Sequence, residues 1–195
     1  SVRVSVYYVP DVYYNYKKDG VIYWGQLGYI RADKQLAYCL DILTNITTDT
    51  YFKGEISNDI KEDMILTSYF GFEYGKIGGF PYYAAAQQMI WKQMGIDVYF
   101  TDQSMGKGNI IDLSDIISII EERINEYKRV PEIGNNFKVE IGSTLKLDDL
   151  NEVLNNFNVI NNSENDISIN NNKVIIKAIK KGKGECDNKE NDGRY

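Results

Sequence analysis

The sequence contains no histidine, which excludes every mechanism that needs an imidazole. Ser-His-Asp and Cys-His catalysis, histidine-ligated zinc and histidine acid–base chemistry all require a side chain that titrates or binds a metal near neutral pH. Cysteine is scarce as well: Cys39 and Cys186 are the only two, and no CxxC spacing offers a zinc or redox site. We therefore expect no metal and no cofactor.

The chain also lacks an apolar run near the roughly 20 residues that a membrane-spanning helix needs. Its 28 acidic residues outnumber its 22 basic ones, and the net charge of −6 with scattered basic residues argues against nucleic acid as a partner. With 43% hydrophobic and 26% charged residues the composition is that of a soluble globular protein. We expect any signal peptide to lie outside this sequence, because no basic and apolar leader begins it.

The N-terminal part of the chain has the patterns of β-structure. Apolar residues alternate over 1–9, which predicts a strand with one buried face. The dipeptide Asp19-Gly20 predicts a hairpin turn between the Tyr-rich segments 13–16 and 21–24. The apolar run 35–42, which carries Cys39, fits either a strand or the first turn of a helix.

Three helices are predicted in the middle of the chain. A modest apolar stripe covers 60–70. The clearest helix begins near Pro81 and ends near Gly95, because proline suits a first turn and glycine suits a helix end. An amphipathic helix follows, with Asp112 or Ser114 as its cap.

The C-terminal part returns to β patterns. Apolar residues alternate over 137–141 and 145–147, and an Asn-rich turn separates 167–169 from 174–176. Strands at both ends with helices between them predict an α+β fold, a β-sandwich or barrel formed by N- and C-terminal strands with a helical insertion or subdomain.

These patterns predict a single domain over 1–180. Its β part is expected over about 1–56 and 136–180, and its helical part over about 57–135. The segment 181–195 is polar and contains glycine, which is typical of a tail or a linker to a following domain.

Two short segments of this chain are Tyr38-Cys39-Leu40-Asp41 and Ala86-Gln87-Gln88-Met89-Ile90-Trp91. They resemble the signatures of the bacterial thioester domains found in Gram-positive surface adhesins. The first signature of that family is a cysteine behind an aromatic residue, and the second is Thr-Gln-x-Ala-Ile-Trp or a close variant. Counting back from Trp91 places Gln87, not Gln88, on the family's glutamine. Ala86 stands for the threonine and Met89 for the alanine, so the second signature is partly matched.

The resemblance implies an internal thioester between Cys39 and Gln87, two residues that are 87 minus 39, or 48, positions apart. Such a bond forms when the cysteine sulfur attacks the glutamine side-chain amide and ammonia leaves. The product is an electrophile that a lysine amine can open, giving an isopeptide bond. Each thioester is consumed when it reacts, so the domain is a single-turnover covalent binding module, not an enzyme.

The surroundings of these two residues are expected to be aromatic and apolar. At helical spacing, Gln87 shares a face with Tyr83 and Trp91, which directs its amide away from solvent. Water would then reach a thioester slowly. Since the chain has no histidine, Asp41 and Tyr38 are the candidates for removing a proton from the attacking amine. The predicted site therefore comprises Cys39 and Gln87 as reacting residues, with Tyr38, Asp41, Tyr83 and Trp91 around them.

The resemblance further implies a partner and a location. The expected partner is a host extracellular or plasma protein that presents a lysine, and the domain is expected as a monomer on the bacterial surface, cell-wall anchored through other regions, with a role in adhesion and virulence. It should make no membrane contact itself. Two structural alternatives remain: a non-covalent binding or stalk module in which Cys39 is a small buried hydrophobe, and a disulfide between Cys39 and Cys186.

Overall fold

The computed structural model describes residues 2–42, 50–52, 62–73, 79–134, 136–183 and 186–190, with backbone alone for 50–52, 72–73 and 186–190. The chain divides into two compact units, 1–127 and 128–195. Within the described ranges, no helix is long and apolar enough to cross a membrane.

The first unit is built on an antiparallel sheet around a long hairpin. Its strands are β1 (Val2–Lys18), β2 (Val21–Ala32), β3 (Gln35–Ala37), β4 (Thr50–Phe52), β5 (Val98–Thr101) and β6 (Ile110–Ile111). The order β3-β2-β1-β5-β6 places the hairpin at the centre, and β4 pairs with β1. Asp19 and Gly20 both adopt positive φ, as a two-residue hairpin turn that matches strand twist requires. The predicted turn is confirmed.

The helices described in this part of the chain are α1 (Glu62–Ser68), α2 (Phe80–Gln93) and α3 (Ser114–Lys128), and α3 ends at the boundary between the two units. A π-helical turn over Tyr69–Glu73 follows α1. The predicted boundaries of α2 are confirmed, because Pro81 lies in its first turn and Gly95, at φ 85°, ends it in a left-handed conformation. The cap of α3 was predicted at Asp112 or Ser114. The Asp112 carboxylate accepts the Ser114 N–H at the start of the helix, while the Leu113 carbonyl accepts the Ile117 N–H of its first turn.

Helix α2 is buried along most of its length and contributes to the core of this unit. Its buried residues include Tyr83, the run 84–86, Gln87 and Trp91. The apolar ones pack in one cluster with buried side chains of β1, β2 and β5. Gln87 is therefore a polar side chain inside an apolar core, a position that requires hydrogen-bond partners.

The second unit contains the strands β7 (Thr144–Asp148), β8 (Phe157–Asn161), β9 (Asp166–Asn170), β10 (Lys173–Lys177) and β11 (Cys186–Glu190), with a 3₁₀ turn over Leu154–Asn156. One sheet has the order β7-β10-β9, and β11 pairs with β8. A small core of Val153, Leu154, Phe157 and Val174 lies beneath them.

The predicted α+β class is confirmed, and the structure shows which strands pair with one another. The hairpin at the N-terminus pairs with β5 from the central region, while the described C-terminal strands pair with one another. The strand predicted over 137–141 is wrong: these residues form no strand, and Phe137 and Ile141 are exposed. The segment 181–195 was predicted as a tail, but its residues Cys186–Glu190 form β11, which pairs with the edge of β8. Backbone hydrogen bonds allow this polar segment to join a sheet although it has no hydrophobic face.

A buried carboxylate organises the turn between β7 and the 3₁₀ segment. Asp149 is 3% exposed. Its two oxygens accept backbone N–H groups of Glu132, Asn151, Val153 and Leu154 at 2.7–3.0 Å. Burial opposes ionisation, but these four donors outweigh it and hold the pKa of Asp149 below its usual value. The carboxylate thus takes the place of missing backbone acceptors.

Replacing Asp149 by asparagine should destabilise the second unit by roughly 2–4 kcal/mol. The asparagine NH₂ group would replace one carboxylate oxygen, so backbone N–H groups such as those of Val153 and Leu154 would lose their acceptor and face another donor. Denaturant unfolding of variants of the 195-residue chain measures this loss. Asp148→Asn is the matched control, since Asp148 is an exposed partner of Lys173 and should change little.

The pH dependence of this effect has a defined sign. A carboxyl whose pKa is lowered on folding stabilises the protein above the unfolded value, which is 3.8, and this contribution is lost as pH falls through the folded value. The stability gap between wild type and Asp149→Asn should therefore narrow in acid. Equal unfolding of the Asp148 and Asp149 variants at neutral pH would contradict the assigned role.

Candidate functional site

The side chain of Gln87 is bound to the backbone of Cys39 by two hydrogen bonds. The Cys39 N–H donates to Gln87 Oε1, and Gln87 Nε2 donates to the Cys39 carbonyl oxygen, each at 2.8 Å. A flipped amide would set donor against donor, so the pair of contacts fixes its orientation. The amide of a buried glutamine is thereby held against the one cysteine of this unit.

The local structure explains why the backbone of Cys39 is available for these bonds. Strand β3 ends at Ala37, so the following residues have no ladder partner in the sheet. One turn before Gln87 on α2, the Tyr83 hydroxyl donates to the Ala37 carbonyl at 2.8 Å and accepts the Ile30 N–H at 3.4 Å. Helix α2 therefore binds the segment 37–39 at two successive turns.

Cys39 is a free thiol that is partly buried, so the disulfide alternative is not the arrangement found. Its S–H donates to the backbone carbonyl of Asp41 at 2.9 Å. Burial raises the pKa of the Cys39 thiol to about 11. The hydrogen bond to the Asp41 carbonyl opposes this rise, and the nearby Asp41 charge adds to it. The sulfur is a neutral thiol at pH 7 and must lose a proton before or while it acts as a nucleophile.

Aromatic rings surround the two residues. The Tyr38 ring stacks on Tyr83, with centroids 4.9 Å apart and planes 14° from parallel. On the other side, Trp91 packs against Tyr14 of β1 at 5.2 Å. Tyr83 and Trp91 are 0% and 2% exposed, which keeps bulk water from the helix face that carries Gln87.

The neighbouring Gln88 makes a different contact. Its Nε2 donates to the carbonyl oxygen of Val98 at 2.6 Å, which ties α2 to β5 and directs the amide away from Cys39. The structure and the spacing to Trp91 therefore agree that Gln87, and not Gln88, is the glutamine that contacts Cys39.

A small cavity of about 120 Å³ opens beside Cys39 and Gln87. Its walls come from β1, β2, the segment after β3 and α2. The lining residues are Val6, Tyr8, Tyr14, Trp24, Gly25, Gln26, Leu27, Gly28, Ile30, Cys39, Ile42, Gln87 and Trp91. Tyr8 and Trp24 are each nearly half exposed, so the cavity reaches the outer surface of the sheet.

The structure brings together most of the residues predicted for the site. Cys39 and Gln87 are in contact, Trp91 shares their cavity, and Tyr83 and Tyr38 pack beside them. Asp41 contributes its backbone carbonyl to the thiol, while its side chain is exposed.

Sequence reasoning missed Tyr14 and Gly25 as parts of the same cavity. The hairpin turn was the available signal. Counting outward from Asp19-Gly20 pairs Tyr14 with Gly25, and this is the register observed. A glycine opposite an aromatic residue indicates that the ring crosses the strand at that point.

The fold is similar to that of the thioester domain of the Staphylococcus aureus TIE protein. The TM-score is 0.60 at 16% sequence identity, and the match covers 92% of this chain and 78% of that chain. No protein-family model and no curated protein matches the sequence. The thioester-domain fold expected from the two signatures is therefore confirmed. At 16% identity the match shows the fold alone, so the chemistry has to be inferred from the residues of the site.

Proposed function

We propose that this chain is a covalent adhesin domain in which Cys39 and Gln87 form an internal thioester. The observation that carries the proposal is the two-point hydrogen bonding between the Gln87 amide and the Cys39 backbone. A glutamine that only fills a core has no need to lie against a cysteine, and an amide held this way is confined near the sulfur of the same residue.

The same contacts prepare the amide for attack. When Cys39 Sγ adds to Gln87 Cδ, negative charge develops on Oε1, which already accepts the Cys39 N–H at 2.8 Å. A backbone N–H that already donates to this oxygen is placed to stabilise the charge that develops on it, as a donor of an oxyanion hole does. The C–N bond then breaks and ammonia leaves, so the thiol proton ends on the departing nitrogen.

The finished thioester is an electrophile for a lysine amine. The lysine nitrogen attacks Cδ, the C–S bond breaks, Cys39 regains a proton, and an isopeptide bond joins Gln87 to the partner. A cavity of about 120 Å³ that reaches the sheet surface offers room for the end of such a side chain. The bond is used once, so the domain captures a partner without turnover and needs no cofactor.

The partner class that fits this chemistry is a host extracellular or plasma protein with an accessible lysine. We place the domain on the surface of a Gram-positive bacterium, where covalent attachment would resist mechanical removal. The domain itself is proposed to act as a monomer without membrane contact.

Intact-mass measurement tests the proposal directly. The purified wild-type chain should weigh about 17 Da less than its sequence mass, the loss of one ammonia when the thiol attacks a primary amide. Methylamine should add its mass to that species and release one titratable thiol at Cys39. A full sequence mass together with a freely alkylated Cys39 would instead favour the non-covalent binding module.

A further inference from the structure

Making or breaking the thioester requires a proton to travel between sulfur and nitrogen. In formation the Cys39 thiol loses a proton and the Gln87 amide nitrogen gains one to leave as ammonia. In capture the attacking amine loses a proton and the departing sulfur gains one. Direct transfer is geometrically demanding within one tetrahedral centre, so a third group that both donates and accepts would assist both directions.

The cavity offers few groups of this kind. The chain has no histidine, and the described residues that line the cavity include no acidic or basic side chain. Among the described lining residues, Tyr8 and Tyr14 are the ionisable groups besides Cys39 itself. Tyr8 is 48% exposed, whereas Tyr14 is partly buried at the inner wall. The Asp41 carbonyl accepts the thiol hydrogen bond but cannot take the proton at neutral pH.

The position of the Tyr14 hydroxyl is fixed by two neighbours. Tyr14 pairs with Gly25 across the hairpin, and a Cβ at residue 25 would overlap the phenol oxygen, so the hydroxyl lies over that glycine. The ring also packs on Trp91, with centroids 5.2 Å apart. Trp91 follows Gln87 by four residues on α2 and shares its face. The hydroxyl is thus held at the cavity wall that Cys39 and Gln87 also line.

We propose that the Tyr14 hydroxyl is the proton relay of this site, an inference that rests on the proposed thioester function. In formation the phenol oxygen accepts the Cys39 thiol proton while its own proton passes to the departing Gln87 nitrogen. In capture the relay reverses: the phenol accepts a proton from the attacking amine and gives its own to the Cys39 sulfur. Tyr14 returns to its starting state in both directions.

Electrostatics agree with this placement. Burial raises the pKa of Tyr14, and the Cys39 thiolate raises it further, so the phenol is protonated at neutral pH and close enough to Cys39 to respond to its charge. The other titratable groups that face Tyr14 are Tyr16 and Tyr8 of its own strand. Burial also raises the pKa of Tyr16, and Cys39, with a pKa of about 11, is a neutral thiol at pH 7.

The first test compares Tyr14→Phe with Tyr16→Phe by intact mass during incubation with methylamine. Tyr16 lies on the same strand face and is buried against Tyr23, but it does not line the cavity. Tyr14→Phe should slow methylamine addition by about 100-fold, the usual contribution of a positioned acid–base group. Tyr16→Phe should react like wild type. A folded Tyr14→Phe protein that stays at full sequence mass would also support the relay, because formation uses the same transfer.

A second test keeps the Tyr14 hydroxyl in the chain but displaces it from its position. Gly25→Ala should push the Tyr14 phenol from the wall and slow methylamine addition as Tyr14→Phe does. The double variant should be no slower than either single one, since both remove the same group. Gly20→Ala, in the turn of the same hairpin, is the control, because its Cβ would meet no atom within 4 Å and the residue does not line the cavity.

Incorporating 3-fluorotyrosine at position 14 separates proton transfer from packing. A more acidic phenol in the same shape should shift the pH profile of methylamine addition toward acid, which a purely structural ring would not do. A wild-type chain at full sequence mass would overturn the proposed function as a whole. A wild-type mass deficit with unchanged Tyr14→Phe rates, or an unshifted pH profile with fluorotyrosine, would overturn the relay alone.

Discussion

Alanine at either Cys39 or Gln87 should abolish both the mass deficit and covalent capture, whereas alanine at Gln88 should leave both intact. The reason is geometric: Gln87 is bound to the Cys39 backbone, while Gln88 is bound to the Val98 carbonyl. Removing the sulfur removes the nucleophile, and removing the Gln87 amide removes the acyl donor. The expected change is complete, because the described residues of the cavity include no second cysteine, and the other side-chain amide that lines it, Gln26, is bound to the Val9 carbonyl.

Gln88→Ala serves as the matched control for folding. It removes one hydrogen bond from the same helix and should cost about 1 kcal/mol of stability, a loss similar in kind to that of the Gln87 variant. Circular dichroism and thermal melting check that all three variants are folded. If the mass deficit disappeared in Gln88→Ala and persisted in Gln87→Ala, the acyl donor would be misassigned.

A cognate host protein should be captured at concentrations at least about 100-fold below those at which methylamine reacts, because docking turns a bimolecular attack into an effectively intramolecular one. The buried helix face and the narrow cavity favour this selectivity, since they limit free diffusion of small nucleophiles to the Gln87 carbonyl. The assay incubates wild-type and Cys39→Ala domains with plasma or matrix proteins and looks for a complex that survives boiling in detergent and reductant.

Capture should also accelerate as pH rises. A lysine amine has an ordinary pKa of about 10.4, so its neutral, nucleophilic fraction grows about tenfold per pH unit between roughly pH 6 and pH 9. Sequencing the cross-linked peptide should place the bond at Gln87. A flat pH profile would reveal a local base that deprotonates the lysine, and equal cross-linking by the Cys39→Ala domain would refute the mechanism.

Several local features of this protein could be read from its sequence because they depend on neighbouring residues. Asp19-Gly20 set the hairpin turn through its positive φ angles, and Pro81 and Gly95 set the ends of α2. The register with Trp91 singled out Gln87, and helical spacing predicted its burial beside Tyr83. Each of these follows from backbone preference or helical period, which a short window of sequence contains.

Contacts between distant segments were decided only by the tertiary structure. The alternation over 137–141 resembled a strand, yet these residues form none, whereas the polar stretch at β11 pairs with β8. Pairing depends on which edge is available, and backbone hydrogen bonds are indifferent to side-chain pattern.

The composition of the candidate site shows the same division. The sequence by itself determined that a cysteine and a glutamine are available and that no histidine can assist them. The tertiary structure decided that the end of β3 leaves the Cys39 backbone open to the Gln87 amide, and that Tyr14 crosses over Gly25 into the same cavity. The physical reason is that a cavity wall is assembled from separate elements whose approach depends on packing of the whole unit, which no local pattern encodes.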